Sequence, residues 1–99
     1  MSDTQTYTLS ETVLNQKTGI VAVWSKYASG AVDSDWHYFF IPKHHAIIHP
    51  GNGIGMTLRN TSTSVATKYL YINDDIIKGA ATNANSPNTN FVLRYILGV

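Results

Sequence analysis

The sequence contains no cysteine, little charge and no long apolar run. Because cysteine is absent, disulfides, thiolate metal ligands and cysteine nucleophiles are excluded, and stability must come from packing. Charged residues make up 13% of the 99 residues and the net charge is +1, which argues against nucleic-acid binding and a polybasic membrane patch. No apolar stretch approaches about 18 residues, and the N-terminus lacks a signal-peptide pattern. We therefore expect a soluble chain without membrane insertion or a classical export signal.

What the sequence does contain is a series of short segments rich in β-branched and aromatic residues, separated by turn residues. Such segments fit a pleated, half-buried surface. No segment has a long helical period with a capping box. The predicted fold is all-β, an antiparallel, jelly-roll-like β-sandwich that forms a single domain over residues 1–99, with 1–5 flexible. Strands are predicted at 6–9, 19–27, 36–41, 45–49, 54–59, 67–73 and 91–99, and 79–90 is predicted as a surface loop.

The last segment alternates in a period of two up to the final residue. One set of alternating positions is Phe91, Leu93, Tyr95, Leu97 and Val99. Termini usually fray unless they pair into a sheet, so we expect this strand to end inside the fold. This is the behaviour of a domain that closes a longer polypeptide or caps an assembly.

Two predicted strands carry apolar residues on both faces, whereas a sandwich covers each strand from one side only. Another subunit is the simplest second cover, and a long loop folded over the outer face is the alternative. Tyr69 and Tyr71 share a strand face, either as an exposed aromatic platform or as part of the same subunit contact. The predicted oligomer interface consists of Val21, Val23, Tyr27, Phe39, Tyr69 and Tyr71.

Four histidines raise the question of a metal site: His37, His44, His45 and His49. Imidazole is a common transition-metal ligand. On a strand, however, His45 and His49 would stand roughly 13 Å apart at about 3.3 Å per residue, too far to share one ion. We therefore predict no metal site within one chain. The alternative is a trimer whose three-fold axis brings copies of one histidine together around an ion.

Catalytic motifs are weak. Aspartates pair at Asp33 and Asp35 and again at Asp74 and Asp75, and glycoside hydrolysis uses two carboxylates across a cleft. Neighbouring loop aspartates more often form turns, and Glu11 is the only glutamate. No nucleophile elbow or phosphate-binding glycine loop is present. We predict a protein that is not an enzyme and has no cofactor, with a polysaccharide hydrolase as the weakest alternative.

A binding site is better supported where a loop becomes a strand at residues 33–37. Asp33, Asp35, Trp36 and His37 bring together hydrogen-bond acceptors, a large aromatic face and an imidazole. A sugar ring needs this mixture for stacking and for hydrogen bonds to its hydroxyls. The alternative is that Trp36 belongs to the core and the aspartates only shape the loop. These four residues are the predicted ligand-binding site.

The chain also resembles a known family through four apolar segments. They are GIVAVWSKY at 19–27, FIPKH at 40–44, KYLYI at 68–72 and FVLRYILGV at 91–99, with Gly79 between the last two. Their order is similar to that in the C-terminal module of tail-fibre and baseplate structural (receptor-binding) proteins of phages that infect Gram-positive bacteria. This resemblance implies a homotrimer at the distal end of an appendage that attaches to host-surface saccharides. The family has no ligand motif that transfers to single residues here, and its long stalk has no counterpart in this short polar start.

These observations predict a virion tail or baseplate module, made in the bacterial host cytoplasm, that oligomerises and binds host cell-surface polysaccharide. Its expected partners are that polysaccharide, other phage tail proteins and copies of itself. The alternative is a purely structural module that trimerises or caps a fibre without contacting a receptor.

Overall fold

The structure is a computed structural model that describes Ser2 and residues 5–99. Segments that alternate with a period of two form two antiparallel β-sheets, and these pack face to face. The predicted all-β sandwich is thus confirmed. The four-stranded sheet has the order β1-β6-β5-β4 and the three-stranded sheet the order β3-β2-β7. The strands are β1 (Thr6–Thr8), β2 (Gly19–Lys26), β3 (His37–Pro42), β4 (Gly53–Arg59), β5 (Val65–Ile72), β6 (Ile76–Gly79) and β7 (Phe91–Gly98). The expected flexibility of residues 1–5 partly concerns Met1, Asp3 and Thr4, which lie outside the described residues.

The core lies between the two inner sheet faces. In β5 every second side chain is buried, which is the pattern of a strand with one covered face. Trp24 of β2 is the largest fully buried side chain. The other large buried apolar side chains include Ile20, Ile41, Met56, Leu58, Leu70, Ile72 and Ile77. Their burial is the main source of stability in a domain without disulfides.

The predicted strand at 45–49 is wrong, because this segment belongs to a short helix, α1 (Lys43–Ile48). Pro42 precedes the helix in an extended conformation, and Pro50 and Gly51 follow it. Here the chain crosses from β3 in one sheet to β4 in the other, so the segment has no strand to pair with. One helical turn anchored by the buried Ala46 satisfies the backbone instead.

Strand β6 is absent from the sequence prediction. It has only four residues, of which Ile77 is the one large buried side chain, so its periodic signal is too short to detect. Its position matters because it pairs with β5 on one side and β1 on the other.

The alternation predicted for the last strand is interrupted by a bulge. Trp24 pairs with Leu93 whereas the preceding Val23 pairs with Tyr95, so Arg94 has no direct partner on β2. Leu93 therefore packs against the core, and Tyr95 lies on the opposite, outer face. The prediction that Phe91, Leu93, Tyr95 and Leu97 share one face is wrong for this reason.

Asparagine side chains extend the β5 ladder beyond the end of β6. The last β5–β6 pair is Leu70 with Gly79. Next along β5, the Tyr69 amide donates to Asn83 Oδ1 at 2.7 Å, and Asn83 Nδ2 donates to the Tyr69 carbonyl at 2.8 Å. The Thr67 amide donates to Asn88 Oδ1 at 2.8 Å. The stretch at 79–90, predicted as a surface loop, thus supplies hydrogen-bond partners to backbone groups along the edge of β5. Asn83 is buried.

A lysine occupies one of the inward positions of β5. Lys68 is only 3% exposed, its Nζ lies 5.4 Å from the centre of the Trp24 ring, and it donates to the Asn83 carbonyl at 3.3 Å. Burial disfavours the charged form and lowers the pKa of Lys68 from 10.5 to about 8.

Replacing Asn83 by alanine is expected to lower the free energy of unfolding by roughly 2–4 kcal/mol, because both backbone groups of Tyr69 lose their partner. Urea unfolding followed by circular dichroism measures the change. Asn85→Ala, at an exposed position of the same loop, is the control and should change stability by less than about 0.5 kcal/mol. Equal effects of the two substitutions would contradict a ladder-completing role for Asn83.

Stability is expected to rise with pH between about pH 8 and 10.5, the folded and unfolded pKa values of Lys68. Below this window both states hold the proton and the buried cation is unfavourable, whereas within it only the unfolded state remains protonated. The gain should be on the order of 1–3 kcal/mol. Lys68→Met should flatten this part of the urea-midpoint profile, whereas Lys78→Met, at an exposed position of β6, should retain it. If the Lys68→Met profile kept the parental slope, Lys68 would not be the cause of this pH dependence.

Candidate functional site

The outer face of the three-stranded sheet carries large side chains in cross-strand rows. Val23 of the central strand β2 pairs with Tyr38 on one side and Tyr95 on the other. Two residues away, Val21 pairs with Phe40 and Leu97 in the same way. Directly opposed side chains stand about 5 Å apart, so each row is continuous. Together with the half-buried Trp36, which directly precedes β3, the outer side chains that keep solvent access form what we call the aromatic face: Val21, Trp36, Tyr38, Phe40, Tyr95 and Leu97.

This face is solvent-exposed in the single chain. Tyr38 is 62% and Phe40 56% exposed, and Tyr95 and Leu97 are each more than two-fifths exposed. Isolated exposed apolar residues are normal on a protein surface, but contiguous ones indicate a contact surface.

Arg94 organises one end of the aromatic face. Released from pairing by the bulge, its Nη1 donates to Ser25 Oγ at 3.0 Å and to Asp33 Oδ1 at 2.8 Å. Its guanidinium carbon lies 4.9 Å from the centre of the Trp36 ring, within cation–π range. The Trp36 ring also lies 6.2 Å from that of Tyr95. One arginine therefore links the loop, the central strand and the aromatic rings.

The loop that carries Asp33 folds back onto the end of β2. The Val32 amide donates to the Lys26 carbonyl at 2.8 Å, and the Lys26 amide donates to the Ser34 carbonyl at 3.0 Å. Asp35 adopts a φ of 55°, a left-handed conformation that aspartate tolerates better than most residues. This turn directs the chain into β3 and places Trp36 beside Arg94.

The structure brings two of the four predicted ligand residues together. Asp33 and Trp36 both contact Arg94. Asp35 is exposed beside them, and its carboxylate accepts a hydrogen bond from Ser34 Oγ at 3.4 Å.

His37 points to the other side of the sheet and is a structural residue. The Arg59 amide donates to its Nε2 at 3.1 Å, so Nδ1 carries the ring proton and donates to the Asp35 carbonyl at 2.9 Å. Its ring also makes an edge contact with Phe91 at 5.2 Å. His37 therefore connects the two sheets and does not extend the aromatic face, which corrects its predicted place in the ligand site.

Two predicted interface residues are covered by the chain itself. Val23 is 0% exposed, since it lies between the side chains of Tyr38 and Tyr95. Phe39 is half-buried against the core, so the outward side chains of β3 are Tyr38 and Phe40. Val23 therefore needs no second subunit for its burial, and a place for Val23 and Phe39 in an oligomer interface stays a prediction.

The remaining predicted interface residues lie on the surface. Val21 is half-buried within the aromatic face, and Tyr27 is exposed at the end of β2. Tyr69 and Tyr71 lie on the outer face of the four-stranded sheet, with ring centres 5.3 Å apart. The Tyr69 ring also fills the space over Gly53, where a Cβ atom would collide with it. Part of the Tyr69 surface is therefore already used within the chain.

The helical conformation changes the geometry of the histidines. His45 and His49 are one turn apart on α1, with ring centres 5.8 Å apart, so the strand-based distance of roughly 13 Å does not apply. His45 Nε2 lies 3.1 Å from the Asn52 carbonyl oxygen. Within the described residues, no group of three or more metal-binding side chains is assembled.

A groove adjoins the aromatic face along the free edge of β7. It has a volume of about 320 Å³ and is lined on one side by Arg94 and Tyr95 and on the other by Gln5 and Tyr7 of the N-terminal segment. An extended ligand lying on the aromatic face can therefore continue into a region with amide, guanidinium and phenol groups, all of which hydrogen bond to hydroxyls.

Comparison with known proteins finds no matching family model, curated protein or solved structure. In the described part of the chain, no helix is long and apolar enough to cross a membrane.

Sequence reasoning missed Arg94, Tyr38 and Tyr95 as site residues. Arg94 is the one charged residue in an otherwise apolar and aromatic strand, and this could have marked it. Its position beside Trp36 depends on the bulge, which the sequence pattern does not reveal.

Arg94→Met is expected to lower the free energy of unfolding by about 2 kcal/mol, because the buried Ser25 hydroxyl loses its charged partner. Asp33→Asn should cost less than about 1 kcal/mol, since the Asp33 side chain is 80% exposed and such ion pairs contribute little. Arg59→Met, an exposed arginine on β4, is the control. Urea unfolding gives all three values, and a larger loss for Asp33→Asn than for Arg94→Met would refute this order.

Proposed function

We propose that this chain is the tip module of a phage tail or baseplate, which oligomerises and binds a host cell-surface saccharide during attachment. In this proposal it is made in the bacterial host cytoplasm and functions in the virion, without enzymatic activity. The observation that carries the proposal is the aromatic face, where exposed rings lie in rows beside the Arg94–Asp33 pair. The order of apolar segments that resembles phage tail modules supports the same function.

The chemistry of the aromatic face suits a sugar. Trp36, Tyr38 and Tyr95 offer ring faces on which the apolar side of a pyranose can stack. Arg94, Asp33 and the tyrosine hydroxyls supply donors and acceptors at the same end. The face is shallow, so each site should bind weakly, and attachment would depend on many copies that bind together.

Assembly is the second part of the proposal, as a homotrimer that joins other tail proteins. Exposed apolar side chains remain on both outer faces of the sandwich, and identical copies arranged around an axis would cover one of them. Tyr69 and Tyr71 lie on the sheet opposite the aromatic face and are the residues best placed for a subunit contact that leaves Trp36 free.

A purely structural module is the second candidate, and one observation favours it. The row formed by Phe40, Val21 and Leu97 contains no polar group and fits an apolar protein surface better than a sugar. Under this alternative the isolated protein would form a stable oligomer but would not be retained on host cells or cell-wall preparations. A polysaccharide hydrolase is the third alternative, and it would release product from host glycan until its carboxylates were substituted.

Trp36→Ala is expected to reduce adsorption to host cells or binding to their surface polysaccharide by at least about tenfold, because it removes the central ring of the site. The control is Ile47→Ala, an exposed apolar side chain on α1 that belongs neither to the aromatic face nor to the proposed subunit contact, and it should keep full binding. Asp35 should be tested as Asp35→Asn, since asparagine also tolerates its left-handed backbone.

Each variant must retain the parental circular dichroism spectrum and unfolding midpoint. Unchanged adsorption of a folded Trp36→Ala protein would remove the aromatic face as the saccharide site. Loss of adsorption in Ile47→Ala with full adsorption in Trp36→Ala would place the saccharide site away from the aromatic face.

A further inference from the structure

A second cavity lies where the N-terminal segment, β7 and the asparagine-rich loop meet. Its volume is about 270 Å³, close to the lower end for small-molecule sites. The polar residues that line it are Ser2, Gln5, Tyr27, Lys68, Asn83 and Thr89. Hydroxyl, amide and ammonium groups thus surround a space of the size of one sugar ring.

Lys68 is the charged residue in this set and retains unused hydrogen-bonding capacity. An ammonium group has three N–H donors, and Lys68 makes one hydrogen bond, to the Asn83 carbonyl. Among the described side chains, the only ion pair joins Arg94 to Asp33, so no described carboxylate forms an ion pair with Lys68. A buried cation without a counter-ion is unfavourable, and burial correspondingly lowers the pKa of Lys68 to about 8.

A second donor without an acceptor lies nearby. Trp24 Nε1 is buried and has no hydrogen-bond partner among the described residues, and Lys68 Nζ lies over the ring of the same tryptophan. Buried polar groups are nearly always hydrogen bonded, so an unpaired one needs an explanation. Trp24 does not line the cavity, whereas Lys68 does, so a ligand in the cavity would supply an acceptor to Lys68.

We propose that this cavity binds a small anionic ligand, a carboxylate or phosphate carried on a hydroxylated molecule, with the Lys68 ammonium as its counter-charge. The Tyr27 and Thr89 hydroxyls of the lining receive the polar remainder of the ligand. Phe91 and Val92, which also line the cavity, contact its apolar surface. This site is separate from the aromatic face, so either proposal can fail without the other.

The test observes Lys68 directly, by NMR of the whole chain with isotope-labelled lysine side chains. Glucuronate and inorganic phosphate are titrated as anionic probes, and glucose is the neutral control. Saturable binding of an anion should shift the Lys68 signal and raise the pKa of Lys68, because the anion favours the charged amine. Glucose should do neither. A response to glucuronate alone identifies a sugar acid, and a response to phosphate alone identifies a phosphorylated ligand.

Lys68→Met should weaken anion binding, measured by calorimetry, by at least about tenfold, whereas Lys78→Met should not. The NMR titration of the parent protein decides the matter if Lys68→Met fails to fold. The proposal is overturned if no anion gives a saturable Lys68 response.

Discussion

Each sheet of a two-layer sandwich has one covered face and one open face, and this constraint determines where the apolar residues of the chain lie. The inner faces hold Trp24, Ile41, Leu70 and the rest of the core. The three-stranded sheet is also apolar and aromatic on its outer face, where its two edge strands carry Tyr38, Phe40, Tyr95 and Leu97. A central valine is hidden between these rings, but the rings themselves have no cover within the chain. The proposed binding role follows from this uncovered face, whereas the proposed subunit contact uses Tyr69 and Tyr71 on the outer face of the other sheet.

Much of the fold was readable from the sequence where a strand alternates between buried and exposed residues. β5 shows this well, since its inward and outward residues follow the period of two throughout. The failures occur where pairing partners decide the conformation. The segment at 45–49 is as apolar as a strand, yet it becomes a helix between the two sheets. Phe39 was expected in an outer contact but faces the core, because alternation separates two faces without showing which one is covered.

The candidate site was only half predictable for a related reason. The composition of residues 33–37 led to Asp33 and Trp36, which both contact Arg94. The next residue, His37, lies on the inner face of the sheet and connects the two sheets. Arg94 joins the cluster through a bulge that shifts the register by one residue. Asn83 was likewise read as a loop residue, whereas its amide pairs with the backbone of Tyr69. Such long-range polar contacts leave no periodic trace in a sequence.

The central claim is that saccharide binds on the aromatic face, and the chain's two tryptophans provide an internal comparison. Trp36 lies in the aromatic face, whereas Trp24 is buried in the core. Their indole N–H groups give separate NMR signals, so polysaccharide from the surface of Gram-positive cells can be titrated into ¹⁵N-labelled protein. The account predicts that the Trp36 signal shifts saturably while the Trp24 signal stays in place. Saturable binding that leaves the Trp36 signal unmoved would contradict it.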